Sequence, residues 1–470
     1  MSTATGNQPR NQSGTQSGTA VNPKAAVPVL LFAFVFCLIV DNGFKTMTMP
    51  IAEGLGISDN TASLQASLAG VVIGIGAVVY AALADSISIR KLMLVGVGFI
   101  VVGSLMGFIF SGSWPMVLTG RIVQTAGLAA AETLYVIYVT KHLAAEDQKT
   151  YLGFSTAAFQ FGLLVGALTS GFIATYVSWT AMFLIPLILV LVVPAIYKMV
   201  PEDEAVEGHL DILGLFLIAV FAASLTMYMQ AFNWLWLIPT VIGLALFAWH
   251  VKSHKGALVR PEFFTNGRYV WAITLVFIVY STQLGYIFLL PYAANSLHDM
   301  SLDRAALLMV PGYACAVLVG IFSGKIGKVL TSRQTIFTAL AMIVSSLVMA
   351  AIFMELHVGV LAVSIVLFAS GFALIYAPLV NTALSNIPPI KSGIAIGFYN
   401  LIINIAIPLG IAYSAKLQDL ELTWFSGLSL SDTAAGQVYS SVLWVLALIA
   451  AAGTVIYFLA DRSMHTRETV

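Results

Sequence analysis

The sequence predicts an all-α polytopic membrane protein with fourteen transmembrane helices. Of its 470 residues, 59% are hydrophobic and only 9% are charged, whereas soluble globular proteins carry about 25% charged residues. Apolar stretches of about 20 residues, the length that a helix needs to cross the hydrocarbon, recur along the chain. Because lipid cannot satisfy backbone polar groups, we expect each stretch to be helical.

These stretches are bounded by charges, by Gly or Pro, or by polar clusters, and they number fourteen. They cover residues 26–48, 62–83, 92–111, 115–140, 152–176, 180–199, 211–231, 234–251, 269–293, 304–324, 334–354, 357–382, 393–415 and 437–460.

The basic residues indicate the orientation. With a cytoplasmic N-terminus, 17 of the 21 Lys and Arg residues fall inside, Arg304 and Lys416 fall outside, and Lys45 and Arg121 lie within spans. An added or missing span would reverse the sign of every later loop. The positive-inside rule therefore supports the span count and predicts a multi-pass protein of the plasma or inner membrane with both termini in the cytoplasm.

The polar connections suggest how the chain is divided. The first 25 residues have too few apolar groups to fold, and the two longest polar connections flank spans seven and eight. The predicted organisation is a disordered tail (1–25), a six-helix bundle (26–199), linkers with an inserted helix pair (200–268), a second six-helix bundle (269–460) and a short tail (461–470).

Composition excludes several other functions. The net charge is zero, so no basic surplus is available for nucleic acid. Cys37 and Cys315 both lie in apolar runs, which argues against a disulfide framework and against a cysteine-rich metal site. The sequence contains no Gly-rich phosphate loop, so we do not expect ATP to drive the protein. The seven histidines lie at span ends or in loops, where we expect solvated interface residues rather than metal ligands. We expect a monomer without metal or cofactor, and no enzyme activity.

Several motifs resemble those of a known family. Residues 41–50 (DNGFKTMTMP), 83–91 (LADSISIRK), 121–127 (RIVQTAG), 162–171 (GLLVGALTSG) and 208–214 (GHLDILG) are similar to motifs of the fourteen-helix drug/proton antiporters of the major facilitator superfamily, which include Gram-positive tetracycline and multidrug exporters. The likeness covers nearly the whole chain. It implies a major facilitator fold, namely two six-helix bundles with an inserted helix pair.

The resemblance also implies a function, and one of the departures from the family pattern bears on the direction of transport. It favours a proton-driven secondary transporter that exports small amphipathic compounds, cationic or zwitterionic, by alternating access. Ala167 stands where the family's exporter-associated proline is expected, so a proton-coupled importer or a metabolite exporter of the same fold stays open. A membrane sensor that no longer transports is a further alternative.

Four charged residues, Asp41, Lys45, Arg121 and Glu132, lie away from the ends of the predicted spans, and a charge at the bilayer centre costs about 2.5–3.5 kcal/mol on insertion scales. At 1.5 Å per residue, Asp41 and Arg121 lie at similar depth, with Lys45 one turn outward and Glu132 about 16 Å deeper than Arg121. We predict an Asp41–Arg121 ion pair. All four residues are candidates for proton coupling, with Glu132 as the preferred carrier. A purely structural ion network is the alternative.

Polar and aromatic residues of other spans are candidates for substrate binding, although interhelical hydrogen bonding or packing explains each one as well. They are Gln160, Tyr280, Gln283, Tyr286, Asn381, Phe398, Tyr399, Asn400 and Asn404.

A third group of residues is expected to act in gating. Asp85, Arg90 and Lys91 would lock the bundles together on the inner side, while Gln124, Gly162 and Gly166 belong to motifs that bend or pack helices closely.

Overall fold

The computed structural model describes residues 23–84, 86–202, 211–254, 256–257, 261–384, 387 and 389–465. Within these ranges, regular secondary structure is helical, and fourteen helical spans are long and apolar enough to cross a membrane. The predicted fold class and span number are confirmed. The predicted tail up to residue 22, most of the linker before span seven, Asp85 and the last five residues lie outside the described residues.

Six spans form the first half of the molecule, and their buried apolar side chains make one core between Ala26 and Val200. The elements are α1 (Pro23–Lys45), the short α2 (Thr48–Leu55), α3 (Asp59–Leu83), α4 (Ile89–Ile109), α5 (Trp114–His142), α6 (Ala145–Tyr176), two 3-10 segments (Trp179–Phe183 and Ile185–Val192) and α7 (Val193–Met199).

The inserted pair and the second half follow, and their buried side chains form a second core, to which α2, α3 and α6 of the first half also contribute. The elements are α8 (Ile212–Ala231), a 3-10 turn (Trp234–Trp236), α9 (Leu237–Ser253), α10 (Glu262–Thr265), α11 (Gly267–Tyr280), α12 (Gln283–His298), α13 (Leu302–Val329), α14 (Ser332–Phe353), α15 (Val358–Leu384), α16 (Pro389–Asp419), a 3-10 turn (Ser426–Leu428) and α17 (Ala434–His465). Because α17 continues to His465, half of the predicted C-terminal tail is helical.

Alternate crossings define two sides of the molecule. We call the side with Pro23 and Ala460 the terminal side, and the side with Lys45 and Leu302 the opposite side. Fourteen crossings return the chain to the side where it began.

The sixth span is not the continuous α-helix that the sequence predicts. Its first two segments are 3-10 helices with i to i+3 hydrogen bonds, such as Leu187 N to Leu184 O at 3.1 Å. Pro186 and Pro194 lie in this span and have no N–H group to donate. Each proline lies in the first turn of its segment, Pro186 in Ile185–Val192 and Pro194 in α7, where a backbone N–H would have no partner within the helix.

The ninth span is interrupted at Ser281 and Thr282, between α11 and α12. The Tyr413 hydroxyl on α16 donates to the Ser281 carbonyl at 2.9 Å and so provides a partner for backbone at the break. The sequence predicts no interruption because neither Gly nor Pro occurs there. The break places Gln283 at the first turn of α12.

The two halves meet along α3 with α16 and along α6 with α13. A Cβ atom on Gly70 would lie 2.9 Å from Pro408 Cβ, so only glycine permits this approach of α3 to α16. Nearer the surface, Tyr176 Oη donates to Asp303 Oδ2 at 3.0 Å. These contacts lie between the middle of the spans and the opposite side, and they join the halves there.

The inserted pair is attached to both halves, since α8 packs against α9, α3 and α16. The Gln230 amide donates to the backbone and side-chain oxygens of Asn60, and to Ser63 Oγ at 2.8 Å. These bonds fix the opposite-side end of α8 to α3.

The terminal-side end of the inserted pair contains a buried polar pair. Asp211 caps α8 by accepting from Gly214 N at 2.8 Å, and His250 Nε2 lies 2.8 Å from its Oδ1. The expectation that the histidines are solvated is therefore wrong for His250, which is 5% exposed, because the capping carboxylate points towards α9.

Candidate functional site

The candidate site is built around Asp41, which lies between two cations. Its Oδ1 is 2.6 Å from Arg121 Nη2 and its Oδ2 is 2.5 Å from Lys45 Nζ. The side chains of Asp41 and Arg121 are 3% and 0% exposed, and that of Lys45 is 13% exposed. The predicted Asp41–Arg121 pair is confirmed, and Lys45 is a second cation on the other carboxylate oxygen.

A second layer of contacts fixes the guanidinium. Arg121 Nη1 donates to Gln124 Oε1 at 2.9 Å, and Gln124 Nε2 donates to Ser104 Oγ at 3.0 Å. The Phe44 ring lies 4.5 Å from the Arg121 Cζ atom, a cation–π distance. Gln124, a predicted gating residue, therefore orients the ion pair within the first bundle.

Helical spacing explains how α1 and α5 present these groups. Asp41 and Lys45 are one turn apart, and Arg121 and Glu132 are eleven residues apart, which is close to three turns. The two helices pack against each other, so their charged faces meet.

Close contact with α6 holds α1 in place. A Cβ atom on Gly166 would lie 2.8 Å from both Gly43 N and Ile39 O, and one on Gly162 would lie 2.7 Å from Leu38 Cβ. Both glycines, predicted to act in gating, are thus close-packing positions within the first bundle.

Glu132 lies in a different environment from Asp41. It is largely buried, and its Oε1 atom has no hydrogen-bond partner. It lines a cavity that also exposes Asp41 and Lys45. A buried carboxyl group without a fixed partner is unusual, because such groups are normally hydrogen-bonded. Glu132 is thus available to a proton or to a ligand.

The cavity lies at the seam between the two halves, and Gly70 and Pro408, which contact each other across the seam, both line it. Its volume of about 40 Å³ admits roughly three or four water molecules at about 10–15 Å³ each. Side chains of both halves line it. They are Leu38, Asp41, Asn42, Lys45, Ile73, Glu132, Phe159 and Leu163 from the first half, and Gln283, Leu284, Asn404, Ile407 and Pro408 from the second.

Two of the predicted substrate-binding residues, Gln283 and Asn404, line this cavity. The Gln283 side chain is buried and its Oε1 atom has no partner. Asn404 Nδ2 donates to the Asn400 carbonyl at 3.0 Å, so Asn400 lies one turn away on the same helix. The cavity therefore combines charged groups of the first half with amide groups of the second.

Other candidates form an aromatic cluster within the second half. The rings of Tyr280 and Phe372 are 5.2 Å apart, and those of Tyr376 and Tyr399 are 6.5 Å apart. The Tyr399 hydroxyl is buried without a partner. Phe398, also predicted, packs against Phe264 instead.

The remaining candidates lie elsewhere. Tyr286 is buried inside the second bundle, where its hydroxyl bonds to Ser364. Asn381 is exposed, and Gln160 is half-buried on α6 outside the cavity lining. The structure does not bring these three residues together with Glu132.

The basic residues predicted to lock the two halves contact the first half here. Arg90 Nε donates to the Val200 carbonyl at 2.7 Å, and Lys91 Nζ lies 2.8 Å from Glu202 Oε1. The hydrogen bond and charge of Lys91 hold the pKa of Glu202 below its ordinary value. At neutral pH, Glu202 therefore stays ionised and holds the start of α4 to the end of the sixth span.

Sequence analysis missed two residues that shape the site. Asn42 Oδ1 accepts from Lys45 Nζ at 3.3 Å, and its own amide donates to the Leu38 carbonyl at 2.9 Å. Phe44 covers the guanidinium of Arg121. Asn42 is three residues before Lys45 and Phe44 is three residues after Asp41, and this helical spacing is the signal that could have found them.

Two helical halves around a charged cavity near the middle of the spans form the architecture of a secondary transporter. The chain belongs to the Major Facilitator Superfamily, whose family model matches residues 30–411.

The chain is similar to curated proteins whose names refer to different compounds. The chain is 23% identical over 386 residues to the riboflavin transporter RibZ of Clostridioides difficile, covering 80% of this chain and 83% of that protein. It is also 23% identical over 433 residues to the quinolone resistance protein NorB of Staphylococcus aureus, covering 88% of this chain and 91% of that protein.

Solved structures agree with the fold. The POT family transporter PepTSo superposes with a TM-score of 0.70 at 14% identity, covering 95% of this chain and 99% of that one. A D-xylose-proton symporter gives a TM-score of 0.61 at 16% identity, covering 91% and 95%. At these identities the likeness establishes the fold alone.

Proposed function

We propose that this transporter is a proton-coupled antiporter that exports small amphipathic compounds by alternating access. The observation that carries the proposal is the position of Glu132, a buried carboxyl group with an unpartnered oxygen in the cavity between the halves. Intramembrane carboxyl groups of this kind mark proton and substrate pathways.

Asp41 and Glu132 have different roles in this proposal. Asp41 has two cations at hydrogen-bond distance, so it stays ionised and holds α1 against α5. Glu132 has no such partner and accepts either a proton or a donor group of the substrate. Because a carboxyl group cannot serve both at once, proton binding releases the substrate and substrate binding releases the proton.

Alternating access requires the halves to separate on one side as they meet on the other. The contacts Gly70–Pro408 and Tyr176–Asp303 join them on the opposite side, so these contacts are the ones that break when that side opens. We assign the terminal side to the cytoplasm because most Lys and Arg residues fall there. We further propose that the working unit in the cell membrane is a monomer.

A second candidate function is proton-coupled uptake, or export of a metabolite, by the same fold. Two observations favour it. Ala167, buried at the seam of α6, replaces the proline associated with exporters, and one relative is named as a riboflavin transporter. The same Glu132 chemistry would operate, with proton and substrate moving in the same direction for uptake.

Proteoliposomes carrying the purified protein and a pH-sensitive dye in the lumen separate these functions. For an antiporter, norfloxacin added outside should drive protons out of the lumen and so alkalinise it. Luminal acidification on addition of norfloxacin or riboflavin would indicate symport and overturn export by exchange. Binding of either compound without any proton movement would indicate a sensor that does not transport.

A further inference from the structure

Lys45 adds a positive charge to the cavity that proton binding by Glu132 does not require. Its ammonium lies 2.5 Å from Asp41 Oδ2 and 3.3 Å from Asn42 Oδ1, and Lys45 itself lines the cavity. Arg121 already neutralises Asp41 from the other side. The second cation is therefore in excess of what one buried carboxylate needs.

The charges around the cavity consequently balance. Asp41 and an ionised Glu132 carry two negative charges, and Lys45 and Arg121 carry two positive charges. Without Lys45 the cavity would be anionic whenever Glu132 is ionised, and it would attract a cation. With Lys45 present, a cationic ligand can reach Asp41 only by displacing an ammonium that is attached to the same helix, one turn away.

The cavity offers a ligand both a positively charged donor and hydrogen-bond acceptors. Arg121 is completely buried and surrounded by Asp41, Gln124 and Phe44. Lys45 borders the cavity with its third ammonium proton still to be donated. Glu132 Oε1 and Gln283 Oε1 border the same cavity as unpartnered acceptors.

We propose that Lys45 is a specificity-determining residue, which makes the site select a zwitterionic compound and reject lipophilic cations. When the halves separate and the cavity enlarges beyond its present volume of about 40 Å³, the carboxylate of the ligand faces Lys45, while its ammonium or N–H donors face Glu132 and Gln283. This assignment rests on the proposed function, since it concerns the substrate of the same cavity. It also agrees with exchange for a proton, because protonation of Glu132 removes the partner of the ligand's ammonium.

Equilibrium binding to the purified full-length protein tests the assignment without a pH gradient. The probes are norfloxacin, a zwitterion at pH 7, and its methyl ester, a cation on the same scaffold. The wild-type protein should bind norfloxacin at least tenfold more tightly than the ester. Lys45→Met should lose this preference by weakening norfloxacin binding about tenfold and strengthening ester binding. Lys45→Arg, which keeps the charge, should retain the wild-type order.

Failure of norfloxacin to bind, equal binding of both probes by the wild-type protein, or an unchanged ratio in Lys45→Met would each overturn the assignment. If Lys45→Met does not fold as judged by size-exclusion chromatography, Lys45→Gln is read in its place. Selection of the zwitterion without gradient-driven transport would refute only the antiport function. Intact proton-driven transport with an unselective site would refute only the role of Lys45.

Discussion

Asp41 and Arg121, which are 80 positions apart in sequence, form a buried ion pair at 2.6 Å between α1 and α5. Arg121 also contacts Gln124 and Phe44, whereas Lys45 holds the second carboxylate oxygen. This buried ion pair therefore holds α1 and α5 together, and these are the two helices that carry the proposed coupling groups.

Replacing Asp41 by Asn should impair both stability and transport. The change leaves two buried cations without their counter-ion, and breaking a buried ion pair in this way costs about 3–5 kcal/mol. We expect a lower thermal transition in detergent and a strong loss of gradient-driven transport. Asp419→Asn is the matched control, because in its pair with Lys416 the side chains are 37% and 17% exposed and so more open to solvent than Asp41 and Arg121. Normal stability and normal transport of Asp41→Asn across a compound panel would contradict this prediction.

Replacing Glu132 by Gln should abolish transport driven by a pH gradient while some substrate binding remains. The glutamine amide has nearly the same shape as the carboxyl group but does not titrate. Proton coupling is therefore lost, while the shape of the cavity is kept. Uptake into everted vesicles and equilibrium binding measure the two properties separately. The exposed Glu53→Gln serves as a control. Unchanged gradient-driven uptake in Glu132→Gln would remove this residue from the mechanism.

Replacing Gly166 by Leu should destabilise the first bundle. The added side chain meets the backbone of α1 at Gly43 and Ile39, and such overpacking costs about 1–3 kcal/mol. A lower thermal transition of the detergent-solubilised protein is the expected result. Gly98→Leu on α4 faces open space and should leave the transition unchanged or raise it. Equal transitions for the two variants would argue against tight α1–α6 packing.

Removing the bond between Tyr176 and Asp303 should favour opening on the opposite side. Tyr176→Phe, Asp303→Ala and the double variant are expected to behave alike, because each removes the hydrogen bond that the Tyr176 hydroxyl donates to Asp303. Spin labels at Gly112 and Ser429, in a background without Cys37 and Cys315, report the separation of the halves. A longer mean distance is predicted, and an unchanged distribution in all three variants would show that this bond does not hold the halves together.

Charge and hydropathy predict much of this molecule from sequence. Fourteen spans follow from apolar runs and from the one-sided distribution of basic residues. The depth of Asp41 and Arg121 predicts their contact because helical rise converts residue number into distance. Intramembrane charges must find partners, so their pairing is more predictable than that of neutral groups.

Features that depend on tertiary contacts were not predictable. The break at Ser281 has a partner in Tyr413 on a distant helix, and no local residue signals it. Tyr286 and Gln283 look equally suitable for a binding site in sequence, yet one bonds to Ser364 inside a bundle while the other borders the cavity. Helical periodicity gives the face of a residue but does not say which neighbour covers that face.

The attachment of α8 has a consequence for how the molecule moves. Gln230 ties this helix to Asn60 and Ser63 of α3, whereas its contact with α16 has no side-chain hydrogen bond among those found in the described residues. The inserted pair of α8 and α9 should therefore move together with the first bundle, while α16 slides along the apolar face of α8. This sliding contact between α8 and α16 would shield the lateral edge of the seam between the two halves from acyl chains throughout the transport cycle.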